Sequence, residues 1–368
     1  MVSRSASLVV ALALAASAAQ NAAPQQADFS GLDPFFAVAE LLAADQQPPQ
    51  AAWDAMFATP GYRTLEEHDL ADRFFQRLLP LALSPSRATD AEDAIAAQPV
   101  TGMFIGHLRA AFERRAELAA FRLELEGQPL ADEALATAQA WLPEGSSTRF
   151  GPPALSFVIY QPDARGYERI VMDLLLAFER QDIFPALLAH ETHHVIRRQI
   201  QGAWEKNDLP EANLLAALDN LQAEGVADMI DKQALLAIDD WGDDSVDTAY
   251  VLMTGRIREE LARVQQRLAE LDEVLAAYAA DPAAAEELGA RLRQEILLMG
   301  GHPVGYHMAG VVVAAGGRER LIANVADPFD FVRAYDEVAA ADPEQLHVFS
   351  DEAMRGLAML ERAAPVPQ

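Results

Sequence analysis

The sequence predicts a mainly α protein of the α+β class with one small β element. Long stretches are dominated by alanine, leucine and glutamate, a composition that favours helix. Apolar residues recur three and four positions apart over much of the chain, which is the spacing of amphipathic helices. One short strand-like run, ALSFVIY at residues 154–160, interrupts this pattern. Since 51% of the 368 residues are hydrophobic, the chain can bury a substantial core, and the composition argues against global disorder.

Residues 1–18 have the pattern of a signal peptide. Arg4 gives a basic start, residues 8–16 form a short apolar run, and Ala16-Ser17-Ala18 fits a small-x-small cleavage site. The apolar run is too short to span a bilayer. We expect residues 19–30 to form a flexible mature N-terminus. Because the chain lacks cysteine, we expect a bacterial periplasmic or extracellular protein without disulfides or a lipid anchor.

The net charge of −28 restricts the partners of the protein. Such a charge argues against binding to nucleic acid or to an anionic membrane surface. After signal cleavage, no remaining segment has the length and apolar composition of a membrane span. The sequence gives no indication of the oligomeric state.

We expect residues 31–150 to form a helical N-terminal region. Segments such as DLADRFFQRLLPLAL have helical spacing and are separated by proline and glycine. The composition changes at Gly151-Pro152-Pro153, where a second region, residues 151–368, begins. There ALSFVIY and YERIVMDLLL (residues 167–176), separated by the turn-like QPDARG, predict a hairpin or a pair of adjacent strands.

Further helices follow these strands. One is predicted over residues 184–200, starting near Asp182 and Pro185, and another over residues 211–238. Residues 256–298 alternate charges and leucines around Asp281-Pro282, which predicts an antiparallel helical hairpin. The section from Gly300 onward returns to helix after a glycine-rich start, GGHPVGYHMAG.

The motif HETHH at residues 190–194 holds three of the eight histidines. On a helix, His190 and His194 lie on one face, about 5–6 Å apart at Cβ, so both imidazoles can bind one tetrahedral Zn²⁺. Glu191 can reach the edge of such a site without ligating and act as general base on the attacking water. We expect His193, His68 and His107 to be structural histidines.

Catalytic zinc sites take a third protein ligand. The metzincin pattern requires glycine and histidine where this chain has Arg197 and Ile200, so that pattern is excluded. We expect the side chains of Arg197 and Arg198 to complement the dipole at the end of the helix.

The segment NLQAEGVADMID offers a glutamate on a later helix instead. Glu224 lies thirty positions after His194, which leaves room for a loop and a return helix. Asp228 is four positions further on, on the same helical face, and is placed to accept a hydrogen bond from the free nitrogen of a ligand histidine. Gly225 disfavours helix, which indicates a close approach of another backbone at this point.

HETHH followed by EGVAD resembles the gluzincin metallopeptidases, whose pattern is HExxH and then ExxxD on a later helix. Residues 302–337, beginning HPVGYHMAG, are similar to the C-terminal part of bacterial zinc peptidases of unknown function. The resemblance covers residues 154–335, about half of the chain. It implies a two-strand edge, a zincin-type active-site helix and a glutamate helix, in that order, with a peptide or protein as substrate.

The same resemblance implies a donor that stabilises the oxyanion formed during peptide hydrolysis. The wider group uses a tyrosine or histidine from a later segment. Tyr306 and His307 are the candidates, and Tyr306 is preferred because it lies in the VGYHMAG match.

Two alternatives to a secreted zinc peptidase stay open. Glu191/His194 and Glu344/His347 are two E-x-x-H pairs of the kind that build di-iron carboxylate sites in helical proteins. A zincin-fold binding protein without catalysis is the other alternative, although the presence of Glu191 favours catalysis.

Overall fold

The computed structural model describes residues 26–69, 71–202, 209–242 and 245–364. These residues are mainly helical and include a small three-stranded mixed sheet, which confirms the predicted fold class. The signal peptide predicted for residues 1–18 lies outside the described residues.

The helices before the sheet form the N-terminal helical region. They are α1 (Leu32–Ala43), α2 (Gln50–Phe57), α3 (Pro60–Asp69), α4 (Ala71–Leu83), α5 (Ala88–Ala97), α6 (Pro99–Glu113), α7 (Arg115–Leu125), α8 (Leu130–Ala138) and α9 (Ser146–Phe150).

The helices after the sheet carry most of the site described below. They are α10 (Leu174–Glu179), α11 (Phe184–Gln201), α12 (Ala212–Leu236), α13 (Ser245–Leu261), α14 (Val264–Ala280), α15 (Ala285–Arg291), α16 (His302–Ala314), α17 (Arg318–Ala323), α18 (Pro328–Ala339) and α19 (Asp351–Ala363). A π-helical turn, Leu292–Ile296, and a 3₁₀ turn, Leu298–Gly301, connect α15 to α16.

The sheet has three short strands, β1 (Leu155–Val158), β2 (Ala164–Gly166) and β3 (Ile170–Asp173), in the order β1-β3-β2. β1 and β3 are the two strand-like runs of the sequence, and they are adjacent as predicted. They are parallel, however, so they do not form a hairpin. β2 pairs antiparallel with β3 and lies inside the segment QPDARG, which the sequence suggested was only a turn.

The outer edge of β1 is paired with the beginning of the described chain. The Asp28 amide donates to the Leu155 carbonyl at 2.8 Å, and the Phe157 amide donates to the Asp28 carbonyl at 2.8 Å. Phe29 is buried and stacks on Phe157, with ring centroids 4.9 Å apart. Residues 28 and 29, which we expected to be flexible, are therefore attached to the sheet.

Asp173, at the end of β3, connects the sheet to the helices on both sides of it. Its carboxylate accepts hydrogen bonds from the amides of Leu176 and Tyr160, both at 2.8 Å, so it caps α10. The Nε2 atom of buried His107, on α6, lies 3.1 Å from the same carboxylate. His107 therefore has the structural role that we expected.

α11 is the central helix and is buried along nearly its whole length. Pro185 lies in its first turn, where proline is well tolerated, and the helix ends at Gly202, whose φ of 72° is left-handed. Every residue from 187 to 197 is buried. Leu188 belongs to the hydrophobic cluster of the N-terminal helices and the sheet, whereas Ile196 belongs to the cluster of the C-terminal helices. α11 thus lies between two cores.

α12 crosses α16 at two glycines. A Cβ atom added to Gly225 would lie 2.6 Å from the carbonyl carbon and oxygen of Gly305. The close backbone approach that Gly225 predicted is confirmed, and the partner is α16. This crossing fixes the start of α16 beside the middle of α12.

The region predicted as a helical hairpin, residues 256–298, contains an additional break. α13 ends at Leu261 and α14 begins at Val264, before the predicted break at Asp281-Pro282. The Asp281 carboxylate accepts a hydrogen bond from the Ala283 amide at 3.1 Å and so caps the next turn. α14 and α15 form the two arms around that break.

In the described part of the chain, no single helix has the length and apolar composition needed to cross a membrane. Two consecutive helical segments, Pro282–Ile296 and Leu298–Ala314, have this length and composition only when they are taken together. The chain bends by 89° between them.

Candidate metal centre

Two histidines of α11 point at one another across a single helical turn. The Nε2 atoms of His190 and His194 are 2.9 Å apart, and both side chains are buried. The buried surroundings of α11 fix both rings, because the helix lies between two cores. The predicted pair is therefore assembled as the HExxH spacing requires.

Glu224 reaches this pair from α12. Its Oε2 atom lies 3.0 Å from Nε2 of His194 and 3.4 Å from Nε2 of His190. Bond lengths of about 2.0–2.1 Å in a tetrahedral zinc site place neighbouring ligand atoms roughly 3.3 Å apart. The separations of these three atoms agree with that value, so the donor set fits Zn²⁺.

The hydrogen-bond partner of His190 is Asp231. The Nδ1 atom of His190 lies 3.0 Å from Oδ1 of Asp231 but 3.7 Å from Oδ1 of Asp228. We expected Asp228 to orient a ligand histidine. Asp231, about one turn later on α12, has this role for His190. Asp231 lies seven positions after Glu224 and keeps to the same helical face, so its carboxylate holds the ring with Nε2 toward Glu224.

Asp228 instead holds a histidine that the sequence did not single out. The Nδ1 atom of His302 lies 2.9 Å from one carboxylate oxygen of Asp228 and 3.0 Å from the other. Nε2 of His302 lies 3.4 Å from Oε2 of Glu224, so this ring edge faces the ligands. Burial lowers the pKa of His302, but Asp228 and Glu224 outweigh burial and raise it above its usual value.

A strained turn presents His302 to the site. Met299, Gly300 and Gly301 have φ values of 56°, 70° and 94°, all left-handed. A left-handed conformation at a residue such as Met299 costs free energy and often marks a functional site. The pair of glycines directly before His302-Pro303 was the sequence signal that could have identified this histidine.

The charges around the ligands favour a divalent cation. Lys232 donates to Asp228 at 3.0 Å and to Asp231 at 2.9 Å. This ammonium group pairs with two carboxylates, and Glu224 adds a third carboxylate at the histidine nitrogens, so the surroundings of the two histidines are rich in carboxylates. Burial lowers the pKa of His190, but Asp231 outweighs burial and raises it well above its usual value.

The pKa of Glu224 gives the same indication. Burial alone would raise it, but His194 and His302 outweigh burial and hold it well below its usual range. Glu224 is therefore an anion that faces the histidine nitrogens, as a metal ligand must be.

Glu191 lies beneath β2. Its side chain is buried, and a Cβ atom added to Gly166 would lie 2.9 Å from its Oε2 atom. Arg198 holds the strand there by donating to the carbonyls of Gly166 and of Tyr167, the latter at 3.0 Å. Glu191 therefore lies below a strand backbone, and it lines the same cavity as His190, His194 and Glu224.

Tyr306 and His307 do not line the cavity above the ligands. Nε2 of His307 lies 3.2 Å from the side-chain nitrogen of Gln265 on α14, and its ring is 6.2 Å from that of Tyr335 on α18. Burial and the nearby Asp228 raise the pKa of the Tyr306 hydroxyl. Tyr306 lies one turn after His302 on the same face of α16, whereas His307 contacts α14 and α18.

The other residues that we singled out have structural contacts. Burial holds the pKa of His193 well below its usual value, so the ring is neutral and packs beside His194. Arg197 reaches across to α12 and donates to Gln222 at 2.7 Å and to Asp219 at 2.6 Å. The two arginines at the end of α11 thus bind α12 and β2 rather than the carbonyls of their own helix.

The residues of the di-iron alternative are not brought together. Nε2 of His347 lies 3.0 Å from Oδ2 of Asp272 on α14, and this pair does not join the group around His190. Within the described residues, the groups that could hold a metal around HETHH are drawn from α11, α12 and His302.

A cavity of about 310 Å³ opens above the ligands. β2 and the end of α11 form one side of it, and α12, α13 and the turn before α16 form the other. A second cavity, of about 280 Å³, shares His194, Arg198 and Glu224 with the first. His194 and Glu224 are therefore approached from two directions, whereas His190 lines only the first cavity.

Comparison with known protein families finds one that matches residues 53–344, described as "Putative zinc dependent peptidase (DUF5700)". This match covers well over half of the sequence. The chain belongs to this family. Zinc is thus the metal of the family, and peptide hydrolysis is the activity assigned to it. No curated protein and no solved structure matches the chain.

Proposed function

We propose that the protein is a secreted or periplasmic peptidase of the gluzincin type. In this proposal, His190, His194 and Glu224 hold the zinc ion and Glu191 is the general base. One observation carries this proposal. Three candidate ligand atoms, two from HETHH on α11 and one from EGVAD on α12, lie 2.9–3.4 Å from one another. Peptides and proteins are the proposed substrates.

Zinc, when bound, would act as a Lewis acid that polarises the scissile carbonyl and lowers the pKa of the attacking water. The Glu191 carboxylate accepts a proton from that water as its oxygen adds to the carbonyl carbon. It then returns the proton to the departing amine nitrogen as the C–N bond breaks. Burial beneath Gly166 keeps this carboxylate away from bulk water during both transfers.

His302 is the proposed donor to the oxyanion. Asp228 binds the Nδ1 atom and, with Glu224, raises the pKa of His302, which favours the imidazolium form; Nε2 then also carries a proton and is directed toward the ligand group. A donor held in advance by a buried carboxylate needs little reorganisation when negative charge develops on the substrate. His302 lies at the cavity, in contrast to Tyr306 and His307, and therefore takes this role in the proposal.

Export of the protein is the second part of the proposal. It rests on the pattern of residues 1–18, with its basic start and its Ala16-Ser17-Ala18 cleavage site. Cell fractionation and N-terminal sequencing would test it. A mature chain beginning at Ala19 in the periplasm or medium supports export, and an intact Met1 in the cytosol contradicts it.

Replacement of Glu191 by glutamine tests the mechanism. The Glu191→Gln variant should keep its zinc, because Glu191 is not a ligand, and should lose about 10²–10⁴-fold in kcat on a peptide library. Glu168→Gln, at an exposed glutamate, is the matched control and should keep full activity. A Glu191→Gln variant that hydrolyses peptides as fast as the wild type would overturn the assignment.

The alternative function to be distinguished from peptide hydrolysis is that of a zincin-fold binding protein. It would bind zinc through the same ligands and hydrolyse no member of a diverse peptide library. Zinc-loaded wild type that cleaves none of these peptides would support that function.

A further inference from the structure

We propose that the substrate carries an apolar side chain next to the scissile bond, and that a wall formed by α11, α12 and α13 receives it. This inference rests on the proposed peptidase function and specifies its substrate class. The wall is the apolar part of the 310 Å³ cavity. Its residues are Leu187, Leu235, Tyr250, Met253 and Ile257.

The wall is built from three different helices and directly adjoins the ligand group. Leu187 lies one turn before His190 on α11, and Leu235 lies one turn after Asp231 on α12. Met253, on α13, is only partly buried and completes the wall from the far side. A side chain next to a carbonyl at the metal centre would therefore meet hydrocarbon in this direction.

The charged groups on this side of the cavity are already paired. Lys232 is held between Asp228 and Asp231, and Asp231 also binds His190. Since each of these groups already has a hydrogen-bonded partner, none is left unpaired to bind a charged substrate side chain. Placing an acidic or basic side chain there would remove it from water without a partner.

A small recess behind the wall gives it further apolar depth. It has a volume of about 30 Å³, and Leu187, Leu235 and Tyr250 separate it from the main cavity. Ile183, Ala186 and Ala234 line its other faces, together with Asp182 and Asp231, whose carboxylates are paired with Arg180 and with His190 and Lys232 respectively. Movement of one wall side chain into this space would admit a larger apolar residue.

The opposite side of the cavity has a different character. Arg165 pairs with Asp163, and Arg198 donates to backbone carbonyls of β2 and its neighbour. This side presents polar groups and a strand backbone, which suits the peptide backbone of a substrate. Because only the side of the cavity at α13 is apolar, we assign the apolar side chain of the substrate to that side.

The test uses the zinc-loaded wild type and peptides that differ at one residue. Cleavage sites are first located in a mixed peptide library by mass spectrometry, and then kcat/KM is measured for substrates with Leu, Asp or Lys at the position next to the cut. We expect kcat/KM for Leu to exceed that for Asp or Lys by at least about tenfold. Cleavage without preference, or with preference for a charged residue, would overturn the inference.

A variant pair on α13 assigns the preference to the wall. Met253→Asp should lower kcat/KM for the Leu substrate by about tenfold or more and shift preference toward Lys. Leu252→Asp is the matched control, because the neighbouring Leu252 is 51% exposed and does not line the cavity. If Met253→Asp fails to fold, Met253→Ala should still reduce the preference for Leu. Equal effects of the changes at 252 and 253 would contradict the assignment.

Binding measurements separate this inference from the proposed function. If the wild type cleaves no peptide, the proposed function fails, and calorimetry with the same peptides then tests the wall. Tighter binding of the Leu peptide than of the Asp peptide by about tenfold, lost in Met253→Asp, would support the apolar site. Equal binding of the two peptides would overturn it.

Discussion

At the scale of single residues, Gly166 determines how closely β2 can approach Glu191. A Cβ atom at this position would lie 2.6 Å from the Glu191 carbonyl oxygen and 2.9 Å from its Oε2 atom. Real Cβ atoms do not approach oxygen so closely, so any side chain at 166 must displace the strand or the carboxylate. Gly166 therefore controls how closely β2 approaches the proposed general base, Glu191.

We predict that Gly166→Ala lowers kcat for peptide hydrolysis by about 10–100-fold, because a misplacement of the proposed base by about 1 Å can cost up to about a hundredfold in rate. Zinc content should stay unchanged, since Gly166 does not contact the ligands. Steady-state kinetics and elemental analysis measure the two quantities. Gly106→Ala, in a helix with open space around the glycine, is the control, and an equal loss of activity in both variants would contradict the prediction.

Asp231 and Asp228 hold different histidines and should therefore have different effects. Asp231 orients His190, so Asp231→Asn should weaken zinc binding by about 10–100-fold. Asp228 orients His302, so Asp228→Asn should lower kcat and leave most of the zinc affinity. Competition with a chelator and initial rates distinguish the two effects. If zinc binding is weakened in Asp228→Asn but not in Asp231→Asn, Asp228 orients a zinc-ligand histidine, as the sequence suggested.

The spacing within single helices accounts for what could be predicted at this scale. His190, His194 and Glu191 follow from one helical turn, and Glu224 follows from the distance to the next helix. The two glycines before His302 mark the residue, but its partner could not be predicted, because only the crossing of α12 and α16 brings it to Asp228, which is 74 positions away in the sequence. The choice between Asp228 and Asp231 also depends on the rotation of α12, which spacing does not determine.

At the scale of elements, the crossing of α12 and α16 positions His302. The two backbones are in contact at Gly225 and Gly305, where any side chain would force the helices apart. α16 begins with His302, so a shift of this helix moves the proposed oxyanion donor away from Glu224. Stability and the geometry of the site thus depend on the same contact.

We predict that Gly225→Ala destabilises the protein by about 1–3 kcal/mol, as overpacking of a close contact does. The higher helix propensity of alanine would by itself stabilise the protein by up to about 1 kcal/mol. A net decrease in the free energy of unfolding would therefore show that the clash with Gly305 is the larger effect. Urea unfolding measures the free energy. Gly310→Ala, on α16 with no atom near its added Cβ, should be neutral or stabilising.

The sheet shows why element pairing was harder to predict than element position. The runs that form β1 and β3 have strand composition, and the sequence located both. β2 is only three residues long, with the sequence Ala-Arg-Gly, and it has no apolar alternation of its own. Arg198 of α11 and the ladder with β3 hold it in place, and both are long-range contacts that composition does not encode.

At the scale of the whole molecule, the proposed metal ligands lie where the two cores meet. α11 contributes side chains to both hydrophobic clusters, and Glu224 comes from α12, which packs on α11 and α16. A bound ion would fasten α11 to α12 at this boundary. Zinc should therefore contribute to global stability as well as to chemistry.

We predict that removal of zinc lowers the Tm of the wild type. A ligand that binds only the folded state stabilises it by roughly 4 kcal/mol at a free concentration a thousandfold above its Kd. Thermal denaturation with and without a strong chelator measures the difference. Glu224→Ala should show almost no chelator effect, and a wild type whose Tm does not respond to chelator would contradict the prediction.

The measurement that tests the central claim most directly is the metal content of the purified mature protein by elemental mass spectrometry. The wild type would be compared with Glu224→Ala and with Glu168→Ala, which removes an exposed carboxylate from the group formed by Glu67, His68 and Glu168. We predict about one zinc per chain in the wild type and in Glu168→Ala, and its loss in Glu224→Ala. Zinc that persists in Glu224→Ala, or a wild type without zinc when no chelator has been used, would contradict the assignment of His190, His194 and Glu224 as the zinc site.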